Sequence, residues 1–386
     1  MKTFPEKTIL ALLVLLLSFA GSRPSAAQPS LPYWTEIAQG GAVPDALWDG
    51  ASAYCDGHFY IFGGLNGTFP NDEPVADFSV FDVGTLSWHD LGPSSGQYSA
   101  GPSARAEPMM WCVAEDDALI VSGGRGPFRR GLDLTHQDTF RFDPVHGWTQ
   151  ISQNAAEISR ANRSTEAVAV REKHKTIGYA FSGSSSTLPA FINRPDGLQH
   201  DLVRYKNGWK QVATGSSVPR ARAHHPFVYS EDWNALFVYG GYTNDAVNGT
   251  STFTPENYLG DLWRLDLDRD KWDQLVFNEA GGPGHRDNAK LIADERNGRI
   301  WLFGGGKYDG TTLSDLWYFN LHTRTWTRVD TAMTGPAPAA RFGQFSFSRK
   351  TATAYELYIF GGATAEFAPV LLHDMWRLTI PLAACN

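Results

Sequence analysis

A pair of adjacent small residues recurs six times along the chain at nearly constant spacing. The pairs are Gly63-Gly64, Gly123-Gly124, Ser182-Gly183, Gly240-Gly241, Gly304-Gly305 and Gly361-Gly362. Successive pairs are 60, 59, 58, 64 and 57 residues apart. Each pair follows an apolar run and precedes a polar loop and an acidic residue that begins another apolar run. Repetition of this kind indicates structural units that bury their faces against one another.

The unit is clearest in the fifth copy. Residues 300–303 are apolar, include β-branched and aromatic members and end at glycine, so they predict a buried strand. Residues 316–319 repeat this pattern, and residues 324–327 alternate after a turn. A sheet of three or four such strands is only marginally stable alone, so each unit needs neighbours.

The first five copies each contain a late tryptophan, whereas the chain ends before one appears in the sixth. A matching segment, residues 31–37 around Trp34, stands alone near the N-terminus. We therefore expect this strand to complete the sixth sheet. The predicted fold is all-β, a six-bladed β-propeller of four-stranded blades closed by the Trp34 strand, with residues 28–386 forming a single domain.

The glycine doublet followed by spaced aromatic residues resembles the kelch repeat family, over nearly all of residues 31–380. The resemblance implies the propeller fold and says little about function. The repeated residues are expected to serve the fold: the glycines allow close backbone approach and the tryptophans fill the space between blades. The aspartates after the loops are expected to bond local turn amides; these are Asp138, Asp261, Asp315 and Asp374.

Residues 1–27 read as a secretory signal peptide, because two lysines precede an apolar run from Ile9 to Leu17 and small residues follow. The run is shorter than the roughly 20 residues that a bilayer requires. Cleavage is expected after Ala27, with Ala20 as the alternative. The mature protein is expected to be secreted, monomeric and without a membrane attachment. Three glycosylation sequons fit export; they are Asn66, Asn162 and Asn248.

Charge and cysteine content narrow the function classes. The chain carries a formal net charge of -8, which argues against a nucleic-acid partner. Its three cysteines cannot all pair within one chain. Cys55 and Cys112 occupy equivalent strands of successive repeats, so a disulfide between adjacent sheets is expected, although Cys385 could instead pair with either to fasten the C-terminal tail.

The loop lengths indicate which face of the propeller binds ligands. With the strands of each blade labelled A to D from the channel outward, the B–C loops and the D–A connections share one face, here called the B–C face. The B–C loops are long, such as residues 242–260, whereas the A–B turns are short. Long loops are often functional, so the B–C face is the predicted binding face.

Arginine-containing segments in the D–A connections lead to the channel strands, and histidine or acidic residues adjoin them. We expect a ring of guanidinium, imidazole and carboxylate groups at the channel mouth, with imidazoles able to transfer protons near neutral pH. The candidate catalytic residues are Arg105, Glu107, His224, His285, Arg286, Asp287 and Arg341. A hydrophobic cleft roofed by loop residues is expected to bind the ligand. The candidate binding residues are Trp48, Phe128, Phe191, Tyr242, Tyr258, Tyr308, Gln344 and Phe367.

No cofactor or metal is expected, because the sequence contains no Cys/His cluster with ligand spacing and no phosphate-binding loop in a suitable context. A single secreted kelch propeller with an aromatic, His/Arg-rich face is similar in architecture to the fungal hetero-Diels-Alderases of tropolone sesquiterpenoid biosynthesis. That similarity implies a cofactor-independent enzyme for small hydrophobic molecules, which joins a tropolone o-quinone methide to a humulene-type terpene. The alternative is a secreted kelch module that binds a glycan or peptide without catalysis.

Overall fold

A computed structural model describes residues 31–67, 72–92, 101–127, 135–152, 164–184, 201–243, 255–277, 281–365 and 370–382. Short apolar and alternating segments form strands throughout these residues, as their hydrophobic patterns predict. Two short 3-10 helices, Pro255–Asn257 and Asp330–Ala332, are the helical elements of the described chain. None of the helices in this part of the chain has the length and apolar character needed to cross a bilayer.

Six antiparallel sheets form the blades. The first blade contains β3 (Ala51–Cys55), β4 (His58–Phe62), β7 (Phe78–Asp82) and β8 (Ser87–Asp90). The second contains β9 (Met109–Val113), β10 (Ala118–Ser122), β11 (Thr139–Asp143) and β12 (Gly147–Ser152). The third contains β13 (Ala167–Glu172), β14 (Lys175–Phe181), β15 (Leu202–Tyr205) and β16 (Trp209–Val212). The fourth contains β17 (Phe227–Ser230), β18 (Ala235–Tyr239), β19 (Leu262–Asp266) and β20 (Lys271–Val276). The fifth contains β21 (Lys290–Asp294), β22 (Arg299–Gly306), β23 (Thr312–Asn320) and β24 (Thr325–Arg328). The sixth contains β25 (Phe345–Lys350), β26 (Ala354–Phe360), β27 (Met375–Pro381) and β1 (Tyr33–Glu36). Three further strands of two residues, β2 (Gly40–Gly41), β5 (Leu65–Asn66) and β6 (Glu73–Pro74), lie at the edge of the first blade and in its B–C loop.

The predicted closure of the ring is confirmed. Strand β1 pairs antiparallel with β27, with Trp34 opposite Leu378. Trp34 is buried and its ring centre lies 4.7 Å from that of Phe303 in the fifth blade. The first strand of the described chain therefore completes the last blade, as expected from the isolated tryptophan.

The late tryptophans pack between blades, as predicted. The ring of Trp88 lies 4.8 Å from Phe360 of the sixth blade, and Trp272 lies 4.9 Å from Phe181 of the third. Both indoles are almost completely buried. Aromatic pairs at these separations add to the area that the rings bury, so the repeat positions mainly stabilise the contacts between neighbouring blades.

The glycine pairs are required by their backbone. Gly304 and Gly305 have φ angles of 66° and 101°. A Cβ on Gly305 would lie 2.3 Å from the carbonyl oxygen of Asp287. Only glycine fits such a close approach without displacing the neighbouring strand. In the third blade Ser182 takes the first place at φ 59°, and its Oγ accepts a 2.7 Å bond from the Arg222 N–H.

Cys55 and Cys112 form a disulfide that joins β3 to β9, the innermost strands of the first two blades. The pairing expected from equivalent repeat positions is thus confirmed. Cys385 lies outside the described residues.

Candidate functional site

Six residues with left-handed backbone surround one end of the central channel. Each precedes the innermost strand of its blade: Asp49 (φ 53°), Glu107 (φ 55°), Ser164 (φ 57°), His224 (φ 52°), Asn288 (φ 50°) and Gly343 (φ 64°). We call this set the mouth ring. The residues just before five of its members bridge to the start of their own B–C loops, for example Ala223 to Tyr242. The mouth ring therefore lies on the B–C face.

Backbone hydrogen bonds join neighbouring members of the mouth ring. The N–H of Asp49 donates to the Gly343 carbonyl at 2.8 Å, and the N–H of Glu107 donates to the Asp49 carbonyl at 2.7 Å. Glycine adopts this conformation freely, as Gly343 does. A residue with a Cβ pays roughly 1–2 kcal/mol, so the five side chains in the ring are retained at a cost in stability.

The Glu107 carboxylate is the centre of a polar network in the ring. It accepts a 2.9 Å bond from Arg125 Nε and a short bond from the Ser164 hydroxyl. His224 Nε2 lies 3.7 Å from the same carboxylate, and His224 Nδ1 lies 3.0 Å from the side-chain amide of Asn288. The network thus links residues from blades two to five around the channel mouth.

His224 is held in its protonated form. Burial alone would lower its pKa, but the hydrogen bond and charge of Glu107, together with the charges of Asp49 and Asp287, raise the pKa to about 9. The imidazolium is therefore the dominant species at neutral pH.

Burial has the opposite effect on the pKa of the neighbouring carboxyl group, that of Asp49. Burial raises the pKa of Asp49 to about 6, with the negative charge of Glu107 adding to the rise and His224 opposing it. Within the described chain no hydrogen bond or ion pair satisfies the Asp49 carboxylate. The mouth ring therefore holds a charged imidazole beside a carboxyl group that titrates near neutral pH.

Below the ring the channel encloses a cavity of about 350 Å³ lined by all six blades. Lys290 of blade five forms an ion pair with Glu166 of blade three. Glu166 also accepts a 3.2 Å bond from the Phe227 N–H. The Glu166 carboxylate of blade three is therefore contacted from both blade four and blade five.

Three of the predicted binding residues form an aromatic row that begins at the mouth ring. The His224 and Tyr242 ring centres are 5.2 Å apart, Tyr242 and Tyr258 are 6.2 Å apart, and Tyr258 and Tyr308 are 6.0 Å apart. Tyr308 is 42% exposed and Tyr258 is buried. The row runs outward from the channel across blades four and five, and brings part of the predicted binding surface together.

The predicted ring of guanidinium groups does not match the structure. Arg105, Arg286 and Arg341 are 0–1% exposed. Each guanidinium makes two bonds to the aspartate of its own blade, as Arg341 does to Asp374 at 2.7 and 2.9 Å. A group enclosed in this way has no surface to offer to a channel ligand, so these arginines occupy structural positions.

The role expected for the blade aspartates is corrected by the same contacts. They bond arginine and tryptophan side chains rather than turn amides: Asp374 accepts a 2.7 Å bond from the indole of Trp376, and Asp261 accepts one of 2.6 Å from Trp263. Each of the last three blades therefore contains an Arg–Asp–Trp cluster, whereas Asp138 of the second blade pairs with Arg105 and is followed by Phe140 in place of the tryptophan.

The other candidate residues lie in different places around the site. Glu107 and His224 are mouth-ring members, Asp287 lies beside His224, and Trp48 packs edge-on against Phe342 with ring centres 5.5 Å apart. Gln344 is buried next to Gly343, and its amide has no hydrogen-bond partner among the described residues.

His225 and His285 lie away from the ring. The His225 side chain is directed into the sheet interior against Phe181, where burial and the positive charges of Arg222 and His224 hold its pKa well below the usual value. His285 is exposed and precedes Arg286. His224, on left-handed backbone just before β17, instead contacts Glu107 and Tyr242 at the mouth.

Some predictions fall outside the described chain: Phe128, Phe191 and Phe367, the sequons Asn162 and Asn248, and the signal peptide. Asn66 is described and exposed, at the end of β5. Its glycosylation stays a prediction.

Sequence reasoning did not select Asp49, Ser164 or Asn288 as site residues. Part of the register contains a usable signal, because a mouth-ring residue lies two positions after the D–A arginine in four of the six blades, as in Arg286 and Asn288. In the described part of the chain, no three His, Cys, Asp or Glu side chains are grouped closely enough to hold a metal ion.

The six-bladed fold with this repeated cluster defines a kelch-type propeller, and the chain belongs to the kelch-repeat family. The model of the KLHDC2/KLHL20/DRC7 Kelch-repeats domain matches residues 179–382, and the Kelch motif model matches residues 49–95.

Similar proteins come from animals and plants. Host cell factor homolog hcf-1 of Caenorhabditis elegans is 30% identical over 306 residues, which cover 75% of this chain and 36% of that protein. Acyl-CoA-binding domain-containing protein 5 of Arabidopsis thaliana is 29% identical over 369 residues, covering 91% of this chain and 51% of that protein. Host cell factor 1 of Homo sapiens is 26% identical over 206 residues, covering 48% and 9%. The chain spans about half or less of the length of these relatives.

Proposed function

We propose that the protein is an interaction module that binds a polypeptide partner on its B–C face, with the mouth ring as the centre of the binding surface. The observation that carries this proposal is the set of five side chains on left-handed backbone. Strain at equivalent positions, where glycine would serve the fold, is typical of functional sites.

Two further observations support a polypeptide ligand. The aromatic row of Tyr242, Tyr258 and Tyr308 extends the site beyond the channel, and tyrosine is enriched at protein interfaces because it combines apolar area with a polar tip. The similarity to host cell factor proteins supports an interaction role over a purely structural one. If the predicted signal peptide operates, the partner is extracellular.

The test is a selection of displayed random peptides on the full mature chain, followed by affinity measurements with variants. The Ser164→Gly/Asn288→Gly variant removes two ring side chains and retains a backbone that glycine adopts without strain. Lys350→Ala is the matched control, because Lys350 lies in the opposite, A–B face with Asp232 and Glu295.

We expect the selected peptides to bind the glycine variant at least about tenfold more weakly, a loss that one or two hydrogen bonds explain. Their affinity for the Lys350→Ala variant should be unchanged. Failure to select any peptide, or equal binding to the glycine variant, would contradict the proposed function.

The second candidate is the cofactor-independent hetero-Diels-Alder cyclisation of a tropolone o-quinone methide and a humulene-type terpene. One observation favours it: groups with perturbed pKa values cluster at active sites, and protonated His224 lies beside Asp49 above the channel cavity. In this scheme His224 polarises the quinone methide oxygen, Asp49 assists loss of water from its precursor, and the cavity holds the two partners together.

The enzyme proposal is tested by incubating the protein with a tropolone precursor and humulenol and comparing adduct yield and stereochemistry with a protein-free control. A stereoselective product that is lost in His224→Gln supports it. Identical racemic product with and without protein rejects it.

A further inference from the structure

The Asp49 side chain has an unusual position within the mouth ring. Its backbone N–H and carbonyl are both used in the ring, by Gly343 and Glu107. Its Oδ1 lies only 2.6 Å from where a Cβ on Gly343 would be. The carboxylate therefore occupies the space that the missing side chain of the sixth ring position leaves, at the edge of the channel cavity.

The charged groups around this carboxylate are nearly all paired with one another. Arg125 binds Glu107 at 2.9 Å and lies 3.7 Å from Asp72, and His224 is held by Glu107. A second pair is formed by Lys290 with Glu166. These contacts engage each cation of the mouth with a carboxylate other than Asp49.

Among these mouth carboxylates, Asp49 thus has no side-chain partner of its own within the described chain. Asp49 is partly exposed at the edge of the cavity, so its carboxylate is open to a hydrogen-bond donor that a ligand supplies. Because an ionised carboxylate can only accept hydrogen bonds, the group that completes it must be a donor.

We propose that Asp49 is the subsite for a cationic nitrogen of the ligand, supplied by a lysine or arginine side chain of the bound polypeptide. This inference rests on the proposed function and names the chemistry that the mouth ring selects. A cation is favoured over a neutral donor because charge-assisted bonds are roughly twice as strong. An anionic group is disfavoured by Asp49, Glu107, Glu166 and Asp287 around the same opening.

Asp49→Asn is the matched variant for the test. Asparagine tolerates the left-handed backbone as well as aspartate does, and it has nearly the same shape, so it removes the negative charge and replaces one acceptor oxygen by a donor while leaving the backbone unchanged. The probes are acetylated and amidated glycine pentapeptides with a central lysine, arginine, glutamine or norleucine. The readout is the ¹³C NMR titration of the Asp49 carboxyl carbon in the full mature chain, with each peptide in excess.

The lysine and arginine peptides should lower the apparent pKa of Asp49 and bind Asp49→Asn at least about tenfold more weakly than the wild type. Their affinity should also fall about tenfold from pH 7 to pH 5, as a group with a pKa of about 6 becomes protonated. The glutamine and norleucine peptides should leave the titration unchanged. If only the lysine peptide or only the arginine peptide binds, that result identifies which side chain supplies the cation.

The inference would be overturned if the pKa of Asp49 were the same in the presence of the lysine, arginine and norleucine peptides. Since this readout needs no selected partner, its failure is separable from that of the proposed function. If library peptides require Ser164 and Asn288 but bind Asp49→Asn with wild-type affinity, the inference about Asp49 is rejected and the proposed function is not. An empty library selection beside a clear response of Asp49 would reject the polypeptide-module proposal alone.

Discussion

Replacing Arg222 with methionine should strongly destabilise the protein without involving the binding face. Arg222 is fully buried. Its guanidinium donates to Asp261 at 2.8 and 2.9 Å and to the Gly240 carbonyl at 2.9 Å, and its Nε donates to the Arg220 carbonyl at 3.0 Å. Methionine retains much of the side-chain volume but none of these bonds.

The size of the destabilisation follows from the Asp261 carboxylate, which the substitution leaves without its arginine partner. In Arg222→Met the Asp261 carboxylate, which is only 13% exposed, retains the indole N–H of Trp263 as its side-chain donor. Breaking one side of a buried ion pair costs about 3–5 kcal/mol, because it leaves an uncompensated charge. Removing both charges in Arg222→Met/Asp261→Ala should recover part of that loss.

Urea unfolding followed by tryptophan fluorescence measures the effect. The control is Arg220→Met, two residues earlier and exposed, for which a change within about 0.5 kcal/mol is expected. The charge of Arg222 and its hydrogen bonds overcome the effect of burial and lower the pKa of Asp261. This contribution is present above the unfolded-state pKa and is lost as the pH falls, so the gap between wild type and Arg222→Met should narrow in acid. Equal midpoints for Arg220→Met and Arg222→Met would refute the structural role of the arginine.

Three other changes test the account. Asp49→Asn should stabilise the protein by about 3 kcal/mol at pH 7.5 and by less than about 1 kcal/mol at pH 4, because the raised pKa of Asp49 means that stability is lost as it ionises between about pH 4 and 6; lower stability of this variant at neutral pH in urea unfolding would contradict it. The raised pKa of His224 gives stability that is present below about pH 6.5 and lost as the pH rises through about 9; His224→Gln should flatten that part of the stability curve, and a curve parallel to wild type would count against the Glu107 contact. Cys55→Ala/Cys112→Ala should cost about 4 kcal/mol in urea unfolding, since the disulfide closes a 57-residue separation; an unchanged midpoint would show that the bond does not constrain the unfolded chain.

The architecture could be predicted from the sequence because its determinants are local and repeated. A glycine pair, an acidic residue and a tryptophan recur in register, and the surplus Trp34 at one end matches the deficit at the other. Six copies of one pattern leave few alternatives for the fold. The kelch family, the ring closure and the disulfide were predicted for these reasons.

The site was harder to predict because it depends on side-chain direction. Arg286 and Asn288 are two residues apart, yet the first is buried against Asp315 and the second reaches the mouth ring. Asn288 has a left-handed backbone (φ 50°), and a positive φ angle has no simple sequence code when the residue is Asp, Glu, Ser, His or Asn. The charge of an arginine alone does not distinguish a buried pair from an exposed ligand contact.

The central claim is that the mouth ring, and not the repeated Arg–Asp–Trp clusters, is the functional surface. A crystal structure of the mature chain with a library-selected peptide tests it most directly. We expect the peptide to lie on the B–C face, with a lysine or arginine nitrogen within hydrogen-bond distance of Asp49 and other contacts to His224 or Asn288. A peptide bound to the A–B face or along the outer edge of a blade, with no contact to the mouth ring, would contradict it.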